Sequence, residues 1–191
     1  IIKKEADTLA NKESIELGKN FFSAKKEMLA CANLWSHASK VIKEKKNKII
    51  NKKNVKLIEY MDPVGIVCLI IPWNFPMIVL SERLPYILAA GNSVIIKPSE
   101  NGSLSINHFV DKIQNQGLPN GTINLISGNA KTGESLIKHK DINMISFTGS
   151  TKSGKAIYKE AAQSLKRLSL ELGGKNPMAI FHDANLNKAS D

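Results

Sequence analysis

The chain has 191 residues, a formal net charge of +10, 42% hydrophobic and 23% charged residues, a balance that suits one soluble globular domain able to bury a core without disulfides or metals. Its longest apolar stretch, Val64 to Pro72, is too short to span a bilayer and no signal peptide is visible, so no membrane association is expected. The excess of base is lysine: only Arg83 and Arg167 are arginine, the side chain suited to forked phosphate and guanine contacts, and the abundance of Asn and Ile beside Lys points to an A+T-rich coding sequence rather than a nucleic-acid partner.

From Ile2 to about Lys48 the chain has no proline and its apolar residues recur at three- and four-residue spacings, which predicts two or three amphipathic helices. Leu9, Ile15, Leu17, Phe21, Phe22, Met28, Leu29, Leu34 and Trp35 are the expected buried stripe. Between Lys40 and Lys56 eight lysines meet one acid, Glu44. This is either an electrostatic patch or a solvated helix end and connecting loop, and the second reading is preferred. Val55 to Met61 alternates as a strand with one face in water would.

From Val64 the rhythm changes to short apolar runs separated by helical windows, the pattern of repeated βαβ units and an α/β fold with a parallel sheet. Strands are expected over Val64–Ile71, Ser93–Lys97, Thr122–Ser127, Ile142–Phe147, Leu168–Leu170 and Met178–Phe181. Helices are expected over Met77–Ala90, kinked at Pro85, and over Ser103–Asn115, Thr132–Lys138 and Thr151–Leu165. Ligands of such sheets bind outside the carboxyl ends of the strands, so the residues where each run stops carry the functional argument.

The first run ends in Pro72-Trp73-Asn74-Phe75-Pro76. An amide fixed there can donate to a developing oxyanion, a contact worth about 3 to 4 kcal/mol in a transition state, or Asn74 simply makes turn hydrogen bonds. The second ends in Lys97-Pro98-Ser99-Glu100, a cation and an anion able to grip one ribose, or else a surface ion pair with Ser99 or Asn101 capping the next helix. The fourth ends in Thr148-Gly149-Ser150-Thr151 and leads into a helix, where unpaired N–H groups favour an anion. GSTKSGK also resembles a nucleotide-triphosphate loop, but Ala156 replaces the hydroxyl that would hold Mg²⁺. The fifth gives Leu170-Glu171-Leu172-Gly173-Gly174. Glu171 is either a general base raised by desolvation or a strand-edge acid paired with Lys166 or Lys175.

Taken together, PVGIVCLIIPWNFP, LAAGNSVIIKPSE, ISFTGSTKSGKAI and LELGGKNP resemble the NAD(P)-dependent aldehyde dehydrogenase family in content and order. The resemblance extends through GLPNGTINLISG and, more weakly, the N-terminal helices, and WNFPMIVLSERLPYILAAG is most similar to betaine-aldehyde-type members. It implies a Rossmann-like fold with residues 1–173 as an NAD-binding domain: a helical segment 1–54, a strand 55–62 toward the oligomerisation arm and a core 63–173. Residues 174–191 would then begin the catalytic domain.

The resemblance further implies that Asn74 helps form the oxyanion hole, that Trp73 and Ser150, with Gly149, sit against the cofactor pyrophosphate, and that Ile70, Ile71 and Pro72 line the cleft. Lys97, Pro98, Ser99 and Glu100 would meet the adenosine ribose, with Glu100 favouring NAD over NADP. Leu172 and Gly173 would lie near the nicotinamide and Glu171 would activate water. The family reaction takes aldehyde, NAD and water to carboxylate and NADH through a cysteine thioester. Cys31 and Cys68 precede PWNFP or lie upstream of it and no Cys follows Glu171, so a fragment that lacks the nucleophile, and only binds NAD, is expected; the opening Ile1 reads the same way. The alternatives are a noncatalytic lysine-rich binding module and a nonfunctional gene remnant. A small-molecule aldehyde, a homo-oligomeric full-length enzyme, a cytoplasmic location and no metal site complete the expectation.

Overall fold

Two helices open the chain, α1 (Ala6–Leu17) and α2 (Phe21–Glu44), in the computed structural model, which describes residues 1–44, 48–174 and 176–189. Gly18 ends α1 in the left-handed region at φ +71°, its N–H bonding the Ser14 carbonyl at 3.1 Å, as helix C-caps commonly do. Asn20 starts α2: its Oδ1 accepts from the backbone N–H groups of Phe22 and Ser23. The buried seam of α2 is Ala24, Met28, Cys31, Ala32 and Ala38. Small side chains at these positions let the helix lie close to its neighbours. Ile15 and Phe22, both 73% exposed, and Leu29 therefore fall outside the stripe expected of them, while Leu9 and Met28 are fully buried.

The lysine-rich stretch is not a loop. Residues 45–47 lie outside the described residues, and beyond them β1 (Lys48–Lys52) and β2 (Val55–Glu59) form an antiparallel hairpin with Lys52 opposite Val55. Lys53-Asn54 is thus the two-residue turn, and the β-branched pair Ile49-Ile50 supplies the strand propensity that the lysines mask. All ten strand residues are exposed, so Val55, Leu57 and Ile58 have no buried face.

The remaining elements follow as β3 (Ile66–Ile71), α3 (Pro76–Ala89), β4 (Ser93–Pro98), α4 (Leu104–Gln114), β5 (Ile123–Leu125), α5 (Ala130–Lys138), β6 (Met144–Gly149), α6 (Thr151–Ala162), β7 (Arg167–Leu172) and the short α7 (Leu186–Ala189). All five strands from β3 to β7 are parallel, in the order β5-β4-β3-β6-β7. The expected α/β architecture is therefore present. The run Met178–Phe181 forms no strand, and Met178 and Phe181 are exposed; a strand needs a bonded neighbour, and none lies beside it among the described residues.

Alternation along β3 divides the core. Leu69 and Ile71, with Val94 and Ile96 of β4, pack into a cluster with α1 to α4, whereas Cys68, with Ile66 and Ile70, joins Ile145, Phe147, Ile157 and Ala161 against α5 and α6. A strand buried on both faces must be apolar at nearly every position, which is why β3 and β4 read as continuous hydrophobic runs. The chain walks outward from β3 through β4 to β5 and returns to pair β6 with the other edge of β3. The direction of travel thus reverses at β3, where a crevice opens at the carboxyl ends.

Because Leu9 is sealed and Phe22 is not, Leu9→Ala should lower unfolding free energy by about 2 to 5 kcal/mol, while Phe22→Ser should stay within about 0.5 kcal/mol of the parent. Urea unfolding followed by circular dichroism measures both, and equal losses would contradict the buried seam described.

Candidate functional site at the carboxyl ends of the parallel strands

The register places Ile70 opposite Lys97 on one side and Phe147 on the other, so the loops leaving β3, β4 and β6 emerge together. They border a cleft of about 840 Å3. Ile70, Ile71, Pro72, Trp73, Lys97, Ser99, Glu100, Gly149 and Ser150 all line it. Asn74, Pro98, Glu171, Leu172 and Gly173 are outside the lining: Asn74 lies exposed in the turn after Trp73, Pro98 is buried at the end of β4, and the other three sit on or just past the edge strand β7.

The far wall comes from two helices. Ala130, Gly133, Glu134 and Ile137 of α5, and Ser153, Ala156, Ile157 and Glu160 of α6, reach the cleft with Lys159 and Gln163. Each set of four follows the i, i+3, i+4, i+7 stripe of one helix face. Nothing marked these residues as cleft-lining in the sequence except that spacing and the small side chains Ala130, Gly133 and Ala156.

Lys97 is buried, 5% exposed, and its Nζ donates to the Pro98 carbonyl at 2.9 Å and lies 3.9 Å from Glu100 Oε2. Burial pulls the ammonium below its ordinary pKa, partly offset by the Glu100 carboxylate. Ser150, not part of an open phosphate loop, is the N-cap of α6: its Oγ accepts from the Ser153 N–H at 3.1 Å and donates to Ser153 Oγ at 2.9 Å. Helix begins at Thr151, so Gly154, where the triphosphate motif would need a loop, is inside α6 instead. A Cβ there would meet the Leu172 side chain 2.4 Å away. Neither Ser99 nor Asn101 caps α4, whose N-cap is Ser103.

Glu171 is not desolvated as expected. Its side chain is 62% exposed and pairs with Arg83 Nη2 of α3 at 3.2 Å, a partner that an isolated charge within a helix did not signal. Lys166 instead donates to the carbonyls of His139 and Ile142, and Lys175 lies outside the described residues. The strand's outer position explains the exposure, since no further strand covers β7 among the described residues.

A model of the aldehyde dehydrogenase family matches residues 1–191. The chain belongs to the aldehyde dehydrogenase family. It is 41% identical over 194 residues to the Saccharomyces cerevisiae aldehyde dehydrogenase NAD(P)+ 2, covering 99% of this chain and 38% of that protein. Against the betaine aldehyde dehydrogenase of Bacillus subtilis it is 35% identical, covering 100% of this chain and 40% of the relative. Among solved structures, the NAD-dependent aldehyde dehydrogenase of Sinorhizobium meliloti superposes with a TM-score of 0.89 at 35% identity, over 99% of this chain and 38% of that one. Betaine aldehyde dehydrogenase of Staphylococcus aureus in complex with NAD+ gives 0.87 at 34% identity, over 98% and 38%. The chain thus spans about two-fifths of the length of the relatives it matches.

Two further features bear on the chemistry of this aldehyde dehydrogenase chain. Among the described residues, no helix is long and apolar enough to cross a membrane and no cluster of His, Cys, Asp and Glu could hold a metal ion. Both cysteines are buried and outside the cleft. Desolvation pushes the Cys31 thiol up to about 11 and the Cys68 thiol up to about 12, the reverse of what activates a nucleophile.

A thiol pKa raised from 9.0 contributes stability that is complete below pH 9 and declines as pH climbs toward 12. At about pH 8 an aromatic disulfide reagent should leave both thiols of the native chain unmodified and react with both after unfolding; Cys68→Ala should flatten the alkaline loss of stability. Rapid labelling of the native chain would contradict the burial.

The β3 and β4 loops also touch one another. A Cβ on Gly102 would come 2.9 Å from both Cα and the carbonyl oxygen of Trp73, a backbone contact that no rotamer change relieves. Gly102→Ala should therefore cost about 1 to 3 kcal/mol by overpacking, visible as a lowered urea midpoint, with the Trp73 emission altered. An unchanged midpoint would show that the loops are not in contact.

Proposed function

We propose that this chain is the dinucleotide-binding portion of an enzyme that oxidises aldehydes with NAD. The observation that carries the reading is that one cleft gathers the ends of β3, β4 and β6 with a buried Lys97, an adjacent carboxylate and the N-terminus of α6. The fit is chemical as well as spatial. Lys97 has three N–H donors and one is committed to Pro98 among the described residues; Glu100, 52% exposed, offers acceptors to vicinal hydroxyls and repels a 2′-phosphate, which favours NAD over NADP. The start of α6 offers backbone N–H groups and a positive dipole end to a pyrophosphate, with Gly149 and Ser150 beside it. Ile70, Ile71, Pro72 and Trp73 supply the apolar wall, with Pro98 and Ser99 shaping the sugar end.

When bound, the dinucleotide supplies the hydride acceptor. This chain's residues do the rest of their part: the Asn74 amide donates a hydrogen bond to the oxygen that gains charge, and Glu171 removes a proton from the attacking water, in the region where Leu172 and Gly173 adjoin the nicotinamide. Arg83 holds Glu171 as a carboxylate until it is needed. The two thiols here stand apart from the cleft, so within these residues the activity is dinucleotide binding, and the nucleophilic thiol and most of the aldehyde pocket come from elsewhere in the enzyme. The boundaries we assign are residues 1–173 for the dinucleotide domain, with the 55–62 strand leading toward an oligomerisation arm, and 174–191 for the opening of the catalytic domain. A cytoplasmic homo-oligomer acting on a small-molecule aldehyde, with no nucleic-acid partner, is the whole-protein reading; the 35% identity to a betaine aldehyde dehydrogenase supports a quaternary-ammonium or related aldehyde.

Isothermal titration with NAD+ tests this. Glu100→Ala should weaken binding about tenfold, equivalent to one lost hydrogen bond to a charged group. Unchanged affinity would remove Glu100 from the ribose site, and no binding by the parent would remove the cleft.

A further inference from the structure

Away from the cleft, the densest buried charge in the molecule is on α1. Glu13 is 0% exposed. Its Oε2 accepts from Lys19 Nζ at 2.6 Å, and its Oε1 accepts from the Met77 N–H at 3.3 Å and from Ser105 Oγ at 3.2 Å. Lys19 also bonds Glu27 Oε2 at 2.6 Å and stands 4.6 Å from the centroid of the Phe75 ring. One turn along, Glu16 accepts from the N–H groups of Ser103 and Leu104, both at 2.9 Å. Removing a carboxylate from water is costly unless it is paired, and here every contact but one is made to a helix start or to the loop before it.

Met77 lies in the first turn of α3, which begins directly after the loop of Trp73 and Asn74. Ser103 and Leu104 begin α4, directly after the loop of Ser99 and Glu100. Neither helix caps itself: the residues at both N-cap positions, Phe75 and Ser103, make no side-chain cap hydrogen bond. Helix N-termini carry orphan N–H groups and positive partial charge, so the two carboxylates of α1 complete both helices at once. Lys19 adds a cation–π hold on Phe75, the residue next to Asn74. The two loops then meet at Gly102 and Trp73, which couples their positions.

We infer that Glu13 and Glu16 are positioning residues: α1 clamps the loop presenting Trp73 and Asn74 and the loop presenting Ser99 and Glu100 at one separation, and so sets the cleft for its dinucleotide from outside it. This rests on the cofactor reading above for its binding consequence, but not for its structural one. With Trp35→Phe as background, Trp73 is the only tryptophan of the 191-residue chain and reports the first loop directly.

At a temperature where circular dichroism shows parent and variant equally folded, Glu16→Ala should raise acrylamide quenching of Trp73 and weaken NAD+ binding about fivefold, as loss of one cap would. Lys19→Gln, which keeps a donor to Glu13 but loses the charge and the ring contact, should shift both readouts in the same direction and serves alone if Glu16→Ala does not fold. Quenching that matches the parent in the folded variants overturns the inference. If the parent itself fails to bind NAD+, the cofactor reading falls and the clamp is judged by the quenching alone.

Discussion

Pairing of β3 with β4 on one edge and with β6 on the other is the constraint on which everything else rests. Parallel register aligns Ile70, Lys97 and Phe147 in one row across the sheet, so loops that are far apart in the chain leave the sheet at one level and on one side. Shifting β4 by a single residue would turn Lys97 to the face occupied by α1 to α4 and send an isoleucine to the cleft. That shift is prevented by burial on both faces: Val94 and Ile96 already fill the α1–α4 side.

Two helical layers use this sheet differently. The layer of α3 and α4, backed by α1 and α2, is the larger apolar cluster and holds the starts of the helices that follow the first two cleft loops. The layer of α5 and α6 is thinner, and its faces carry Ala130, Gly133 and Ala156 where they border the cleft. Small side chains there leave room beside the sheet, while Ile137 and Ile157 of the same stripes close its floor. Stability and cavity are thus drawn from one helix face by the alternation of small and branched residues.

Charge is distributed by the same logic. The many exposed lysines decorate helix ends and the β1–β2 hairpin, where water screens them. The few charges taken out of water all have work assigned by geometry: Glu13 and Lys19 between helices, Lys97 at the cleft, Arg83 against Glu171. Both cysteines, by contrast, behave as small apolar groups, with desolvation holding their protons in place.

The alternation of apolar runs with helical windows determined the parallel α/β architecture and most element positions, because period and turn residues are local properties. The motifs at the run ends likewise carried the family, since Lys97, Glu100 and Ser150 need only be at strand ends to be legible. What local pattern could not decide was which residues of a helix face inward. Phe22 and Leu29 lie on the outer side of α2 because Ala24, Ala32 and Ala38 permit a closer approach, and only the packed neighbours reveal that preference. The hairpin at 48–59 was hidden by lysines whose charge says nothing of backbone pairing. Glu171, Arg83 and the cap contacts of Glu13 and Glu16 join residues separated by 64 to 92 positions or by whole layers; those pairings exist only once the sheet order has been set, because hydrogen bonds and ion pairs depend on distances that the chain alone does not fix.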